Sequence, residues 1–269
     1  MLKTGADGES GSIVGHPEGA AEPAMTPPRP VAMITGAARR IGAVIARRLH
    51  AEGHDLALHY RHSEAAMQAL VAELEAIRPG STLALQADLV DLDALPALVA
   101  QAVARFGRLD VLVNNASSYY ATPVGGTTAS QWDDLFATNA RAPFFLSQAA
   151  APHLKEAQGV IVNIVDIYAE RPLPGHPVYC MAKAALAMMT RALAVELGPE
   201  VRVNAVAPGN ILWSDNPVKA ETLAIVEART TLGRQGAPED IARAVANLVT
   251  SPYVSGQVLA VDGGRSLHI

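Results

Sequence analysis

Val31-Ala32-Met33-Ile34-Thr35-Gly36-Ala37-Ala38-Arg39-Arg40-Ile41-Gly42 decides how this chain folds. An apolar run enters a glycine turn, and the turn enters an amphipathic stretch over Arg40–Ala51. A strand without polar alternation is buried on both faces, and strand–turn–helix is the first half of a βαβ unit. Gly36 permits the tight turn, and Gly42 lets the helix pack close to the strand. A helix opening at such a turn presents free N–H groups and the positive end of its dipole, which suits a pyrophosphate. The motif is not a full G-x-G-x-x-G, because Arg40 replaces the middle glycine. Taken alone it also fits an ordinary βα turn.

The same alternation continues outward from that turn. Strands are predicted over Val31–Thr35, Asp55–Tyr60, Thr82–Ala87, Val111–Asn114, Val160–Val165, Val201–Ala207 and Val258–Val261. Helical stretches are predicted near Arg40–Ala51, Ser63–Arg78, Leu92–Phe106, Ser130–His153, Val178–Gly198, Ala220–Thr231 and Pro238–Leu248. Regular β–α alternation gives a parallel sheet with right-handed crossovers. We therefore expect an α/β fold, a single Rossmann-type doubly wound parallel sheet with helices on both faces, over residues 31–269. Met1–Pro30 stands apart, being rich in Gly, Pro, Glu and Ala with no periodicity. Such a segment buries too little apolar surface to offset its ordering entropy. It also lacks the charged start and apolar centre of a signal peptide. A disordered extension is expected there.

Composition narrows the function classes. A chain of 269 residues, 50% hydrophobic, can bury a large core. Its formal charge of −5 offers no broad basic surface, so no nucleic-acid partner is expected. Cys180 is the single cysteine, which excludes an intrachain disulfide and suits a reducing cytoplasm. No apolar run approaches the ~20 residues that span a bilayer, so no membrane association is expected. No metal site is expected either.

The strongest chemical signal comes after the predicted strand Gly-Val-Ile-Val-Asn-Ile-Val (159–165). That strand ends on Asp166, and Tyr179-Cys180-Met181-Ala182-Lys183 follows. Residues four apart on a helix share one face, so the ammonium of Lys183 is expected near the phenol of Tyr179. A nearby cation favours tyrosinate and lowers a pKa that is otherwise about 10. Tyr179 is then a workable proton donor at neutral pH, recovering its proton through the lysine side. An ionised Asp166 only accepts hydrogen bonds, so a ring rich in N–H donors is a better partner for it than a ketone oxygen. Capping of the strand end is the plainer alternative for this carboxylate.

A Thr-Gly turn followed by a Tyr-x-x-x-Lys helix resembles the short-chain dehydrogenase/reductase family, over roughly Val31 to Ile269. Most members of that family carry serine where this chain has Asp166. The Asp variant resembles the pteridine reductase branch. The resemblance implies a catalytic set of Asp166, Tyr179 and Lys183, with Lys183 also bonding the nicotinamide ribose. It implies a dinucleotide held along Gly36, Arg39, Arg40 and Ile41. Asp88-Leu89 would meet the adenine, and Asn114-Asn115-Ala116 the adenosine ribose. Asn139 would prop the lysine through water, and Pro208-Gly209 would form the nicotinamide-side turn. Ser117 would touch both pterin and cofactor, Tyr119 would stack on the pterin, and Arg40 would face pterin and phosphates together. Family members more often have Phe at the position of Tyr119.

NAD-preferring sites carry an acidic residue at the end of the second strand. Here that strand runs into His59-Tyr60-Arg61-His62-Ser63, with no carboxylate at the tip. Arg61 and Ser63, with Arg39 or Arg40, suit a 2′-phosphate through charge-assisted hydrogen bonds. NADPH is therefore the expected cofactor, with Tyr60 and His62 completing its site. The expected activity is NADPH-dependent reduction of a dihydropterin or dihydrofolate ring. A dihydromonapterin reductase, a ketone reductase of the same family and a catalytically silent NADPH-binding regulator stay open. The resemblance further implies a homotetramer built on the stretches Ser130–His153 and Val178–Gly198, where Phe144, Phe145, Leu146, Leu186, Met188 and Met189 are apolar.

Overall fold

The computed structural model describes residues 29–211 and 220–268. Most of the proposed N-terminal extension, residues 1–28, lies outside these, as does Ile269. The strands are β1 (Val31–Ile34), β2 (Asp55–Tyr60), β3 (Thr82–Gln86), β4 (Val111–Asn114), β5 (Val160–Ile164), β6 (Arg202–Pro208) and β7 (Val258–Val261). They form one 7-stranded sheet in the order β3-β2-β1-β4-β5-β6-β7, with parallel pairing throughout.

Successive residues of the central strands point to opposite faces, and the chain fills both faces with apolar side chains. Ala32, Ile34, Leu56, Leu58, Val111, Val113, Val160 and Val162 enter one core. There they meet Ile45 and Leu49 of α1 (Arg40–Ala51), Leu70 and Leu74 of α2 (Glu64–Ile77), and Ile241 and Val245 of α8 (Pro238–Thr250). Val31, Met33, Ala57, Leu112 and Ile161 enter the other. That face is covered by α3 (Ala94–Phe106) and α5 (Ala142–Glu156), through residues such as Leu98 and Leu146. Each fully buried Leu or Ile contributes roughly 1.5–3 kcal/mol relative to exposure. The doubly wound expectation therefore holds. The edge strands depart from the buried pattern, since β3 and β7 pair with a neighbour on one side only and most of their side chains, Leu85 excepted, are half-buried or exposed.

Three expectations need correction. The stretch Ser130–His153 is not one helix. It divides into α4 (Ala129–Phe136), a π-helical turn at Ala137–Arg141, and α5. Pro143 lacks an N–H and its ring crowds the carbonyl four residues back, so the ladder widens there. The N–H of Ala142 accordingly reaches the carbonyl of Ala137, a five-residue step. The second correction concerns apolar length. Helix α6 (Pro177–Leu197) has 21 residues and contains an 18-residue window of mean hydropathy 1.4, enough by length and composition to cross a membrane. In this fold Leu186 and Ala187 of α6 pack with Ala205 and Ala207 of β6, so sheet packing accounts for part of its apolar character. Third, the last helical stretch before α8 is shorter than Ala220–Thr231, with α7 spanning Ala220–Ala228.

Candidate active site

Strand order reverses between β1 and β4, and the connections leave β1 and β4 on opposite sides of that gap. A crevice at such a switch point, outside the carboxyl ends of the strands, is where open α/β sheets bind ligands. The residues singled out above follow the ends of β1, β2, β3, β4, β5 and β6, or stand on α1, the π turn and α6.

The turn after β1 is built for close approach. Gly36 has φ +62°, and a Cβ there would come within 3.0 Å of the Ala116 backbone. A Cβ on Gly42 would lie 2.3 Å from the Gly36 carbonyl oxygen. Thr35 Oγ1 accepts from the N–H groups of Asn115 (2.9 Å) and Ala116 (3.0 Å). In return, Asn115 Nδ2 donates to the carbonyls of Thr35 (2.8 Å) and Gly36 (3.0 Å). The turn and the end of β4 are thereby locked together. Arg39 is the N-cap of α1 and makes no side-chain cap, so the first-turn N–H groups and the dipole's positive end face the crevice. This cradle fits a dinucleotide pyrophosphate. Arg40 holds φ +54°, a left-handed conformation where glycine would sit without strain.

Beyond β2, Arg61 Nε donates to His62 Nε2 at 2.7 Å, and its Nη1 lies 3.8 Å from Asp88 Oδ1. Ser63 is the N-cap of α2. Asp88 Oδ1 also accepts from the Val90 N–H at 3.1 Å, and Leu89 is buried. Ile41 and Tyr60 pack against the core. After β6, Pro208-Gly209 lies tight against Asp262, with a Cβ on Gly209 only 2.6 Å from the Asp262 Cα.

The reacting end centres on Tyr179, which donates to Asp166 Oδ2 at 2.7 Å. Asp166 Oδ1 accepts from the Tyr168 N–H at 3.0 Å. Lys183 is only 2% exposed and donates to the Ile164 carbonyl at 2.9 Å, its Nζ lying 5.8 Å from the Tyr179 ring centroid. The charges differ from the expectation of a tyrosinate-favouring site. Burial first, and then the Asp166 carboxylate, push the Tyr179 phenol well up from its usual value, so it stays protonated. Burial raises Asp166, against the bonds from Tyr168 and Tyr179 and the charge of Lys183. Burial also brings Lys183 down to about 8, against the pull of Asp166. Asp166 thus caps the turn after β5 through one oxygen and holds the Tyr179 hydroxyl with the other.

The loop after β4 carries the remaining residues. Asn139, in the π turn, donates to the carbonyls of Leu135 and Ser118, each at 2.9 Å. Its Oδ1 accepts from Ser117 Oγ at 2.6 Å. Its direct bonds therefore go to this loop and to the Leu135 carbonyl. Tyr119 is 55% exposed. It stacks on His176, with centroids 4.9 Å apart and planes 8° from parallel, and meets Tyr179 edge-on at 4.9 Å. Sequence reasoning passed over His176 and His59; the ring of His176 becomes relevant only once the loop after β5 folds back onto Tyr119.

With that geometry in place, a model of the enoyl-(acyl carrier protein) reductase family matches residues 36–266. The chain belongs to the short-chain dehydrogenase/reductase family. This short-chain reductase is 36% identical over 285 residues to "Pteridine reductase 1" of Leishmania tarentolae, covering 90% of this chain and 98% of that protein. That likeness and Asp166 place it on the pteridine reductase branch. It is also 35% identical over 238 residues to a 3-oxoacyl-(acyl-carrier-protein) reductase of Staphylococcus aureus (strain Mu50), covering 87% and 96%. Among solved structures it is similar to a blue fluorescent protein from a metagenomic library in complex with NADPH. There the TM-score is 0.83 at 40% identity, covering 88% of this chain and 97% of that one. The chain is thus an oxidoreductase of this family, of the type that uses a nicotinamide dinucleotide and a small-molecule substrate.

Proposed function

We propose that this chain is an NADPH-dependent pteridine reductase acting on a C=N bond of a dihydropterin or dihydrofolate. The carrying observation is the Tyr179–Asp166 hydrogen bond of 2.7 Å. An Asp carboxylate accepts the ring N–H and amino donors of a pterin, whereas a ketone oxygen needs a donor. When bound, the reduced nicotinamide supplies a hydride to a ring carbon and leaves oxidised. Tyr179, kept protonated by burial and by Asp166, gives the adjacent ring nitrogen its proton. Lys183, at about 8, titrates close enough to neutrality to restore that proton from its side of the phenol. Tyr119 presents an aromatic face, Ser117 a hydroxyl and Arg40 a cation to the same substrate. Arg39, Arg61 and Ser63 take the 2′-phosphate, which selects NADPH. The relative complexed with NADPH supports this choice.

The 3-oxoacyl reductase relative favours a second reading, reduction of a ketone. One assay separates the two. NADPH oxidation is followed with dihydrobiopterin, dihydrofolate, dihydromonapterin and a panel of ketones. Turnover of a pterin, with ketones slower, supports the proposal. Turnover of ketones alone selects the second reading. NADPH binding with no oxidation by any of them points to a regulator. We further propose a homotetramer built on α5 and α6.

A further inference from the structure

His59 sits on β2, is buried, and has no part in the chemistry above. A polar ring on a strand otherwise lined by Leu56, Ala57 and Leu58 must find partners or cost free energy. It finds two. Nδ1 accepts from the Gly36 N–H at 3.2 Å, and Nε2 lies 3.1 Å from the Ala87 carbonyl oxygen. An Nδ1 that accepts leaves the proton on Nε2, which then donates to Ala87. The main chain of the same residue adds a third bond, its carbonyl accepting from the Ala37 N–H at 2.9 Å. The Gly36 and Ala37 amides are thus committed to His59, and a phosphate would be met by amides further along the turn and at the start of α1. Ala87 directly precedes Asp88, so a single imidazole joins the phosphate turn to the end of β3.

We propose that His59 is a positioning residue for the dinucleotide: its imidazole, oriented by Ala87, accepts the Gly36 N–H, and that bond to the turn sets cofactor affinity. The proposal rests on the reading of this turn as a dinucleotide site. No apolar residue at this position can supply an acceptor to Gly36 and a donor to Ala87 together. The left-handed φ of Gly36 is a shape that glycine permits but does not impose. The bond to His59 fixes its N–H side, as the Asn115 bond fixes its carbonyl.

The test compares His59→Asn, His59→Gln and His59→Leu by fluorescence titration with NADPH, alongside hydrogen exchange of the Gly36 amide without cofactor. Asn places its Oδ1 at the distance of Nδ1 and keeps the Gly36 bond. Its NADPH affinity should stay within about threefold of wild type, with the Gly36 amide protected. Gln places its amide near Nε2 and abandons Gly36, and Leu abandons both partners. Each should lose roughly five- to a hundredfold in NADPH affinity and expose the Gly36 amide. If Leu does not fold, the Asn–Gln contrast decides. Equal affinity in all variants, or an Asn loss as large as that of Gln, would overturn the proposal. A wild-type chain that binds neither NADPH nor NADH would instead overturn the functional reading, and this one with it.

Discussion

Asp166 Oδ2 accepts the phenolic hydrogen bond of Tyr179 at 2.7 Å. Its other oxygen takes the Tyr168 N–H at 3.0 Å, so the carboxylate is held at both ends. Asp166→Asn keeps the size but loses the charge and the all-acceptor character. NADPH affinity should stay unchanged while pterin turnover falls by about 10²–10⁴-fold, the usual range for general acid–base groups. Asp166→Ser should shift residual activity from pterins toward ketones. Steady-state kinetics on both substrate classes measure this. Asp166→Asn turning over dihydropterins at the wild-type rate would remove the main support for the pterin reading.

Much of the fold was legible because its signals are local. The apolar run of β1, the turn at Gly36 and the spacing of Tyr179 from Lys183 each lie within a short window. The features that escaped arise from distant contacts. Helical periodicity continues through Ser130–His153, and nothing in that pattern announces the π turn, although Pro143 was a signal that could have been weighed. Spacing placed Lys183 near Tyr179, but its hydrogen bond to the Ile164 carbonyl comes from β5. Burial then reversed the expected direction for the tyrosine pKa, because a phenolate removed from water and set beside the Asp166 carboxylate is disfavoured twice over. His59 left one faint trace, a titratable residue next to the apolar run Leu56–Leu58 of β2.

Arg61 is the candidate for reading a 2′-phosphate, since no carboxylate ends β2. Its Nε donates to His62 and its Nη1 approaches Asp88 at 3.8 Å. Arg61→Ala should weaken NADPH by about ten- to a hundredfold, the loss of one charge-assisted contact. NADH affinity should change much less. Equal losses for both cofactors, measured by titration, would show that Arg61 does not read the phosphate.

The outer faces of α5 and α6 expose Phe144, Phe145, Met181 and Met188, with Met188 at 61%. Leu146 and Leu186, expected in the same patch, turn inward to the core instead. Exposed apolar groups of this kind favour association. Sedimentation at micromolar concentration should give a tetrameric mass, and Met188→Glu should shift it toward smaller species. A monomer for the unaltered chain would refute the assembly.

His50, His54 and His59 are buried, and burial holds each below the ordinary value of 6.5. The unfolded chain therefore binds protons more readily than the folded one once the pH falls below that value. Stability is fully present above 6.5 and is lost as pH drops through it toward the folded values. Asp166 runs the other way, because its raised folded value favours proton uptake by the native state. The urea midpoint should therefore fall between pH 7.5 and about 5.5, and fall further in Asp166→Asn, which lacks the opposing group. A midpoint independent of pH in both proteins would contradict the assignment of three neutral histidines.

Arg40 stands at φ +54°, in the left-handed region, at the start of α1 beside the turn proposed to hold the cofactor. For a residue with a Cβ that conformation costs roughly 1–2 kcal/mol, and glycine avoids the cost at some loss of unfolded-state entropy. Strain of this sort is tolerated where the side chain has a task. Arg40→Ala and Arg40→Gly remove the same guanidinium and differ in backbone strain, which favours Gly, and in unfolded-state entropy, which favours Ala. Both should weaken pterin binding to a similar extent, because both lose the cation proposed to face the ring. Denaturant unfolding should find Arg40→Gly the more stable of the two by about 1 kcal/mol. Pterin affinity unchanged in both variants would leave the strain at this position without a function, and would remove Arg40 from the proposed substrate site.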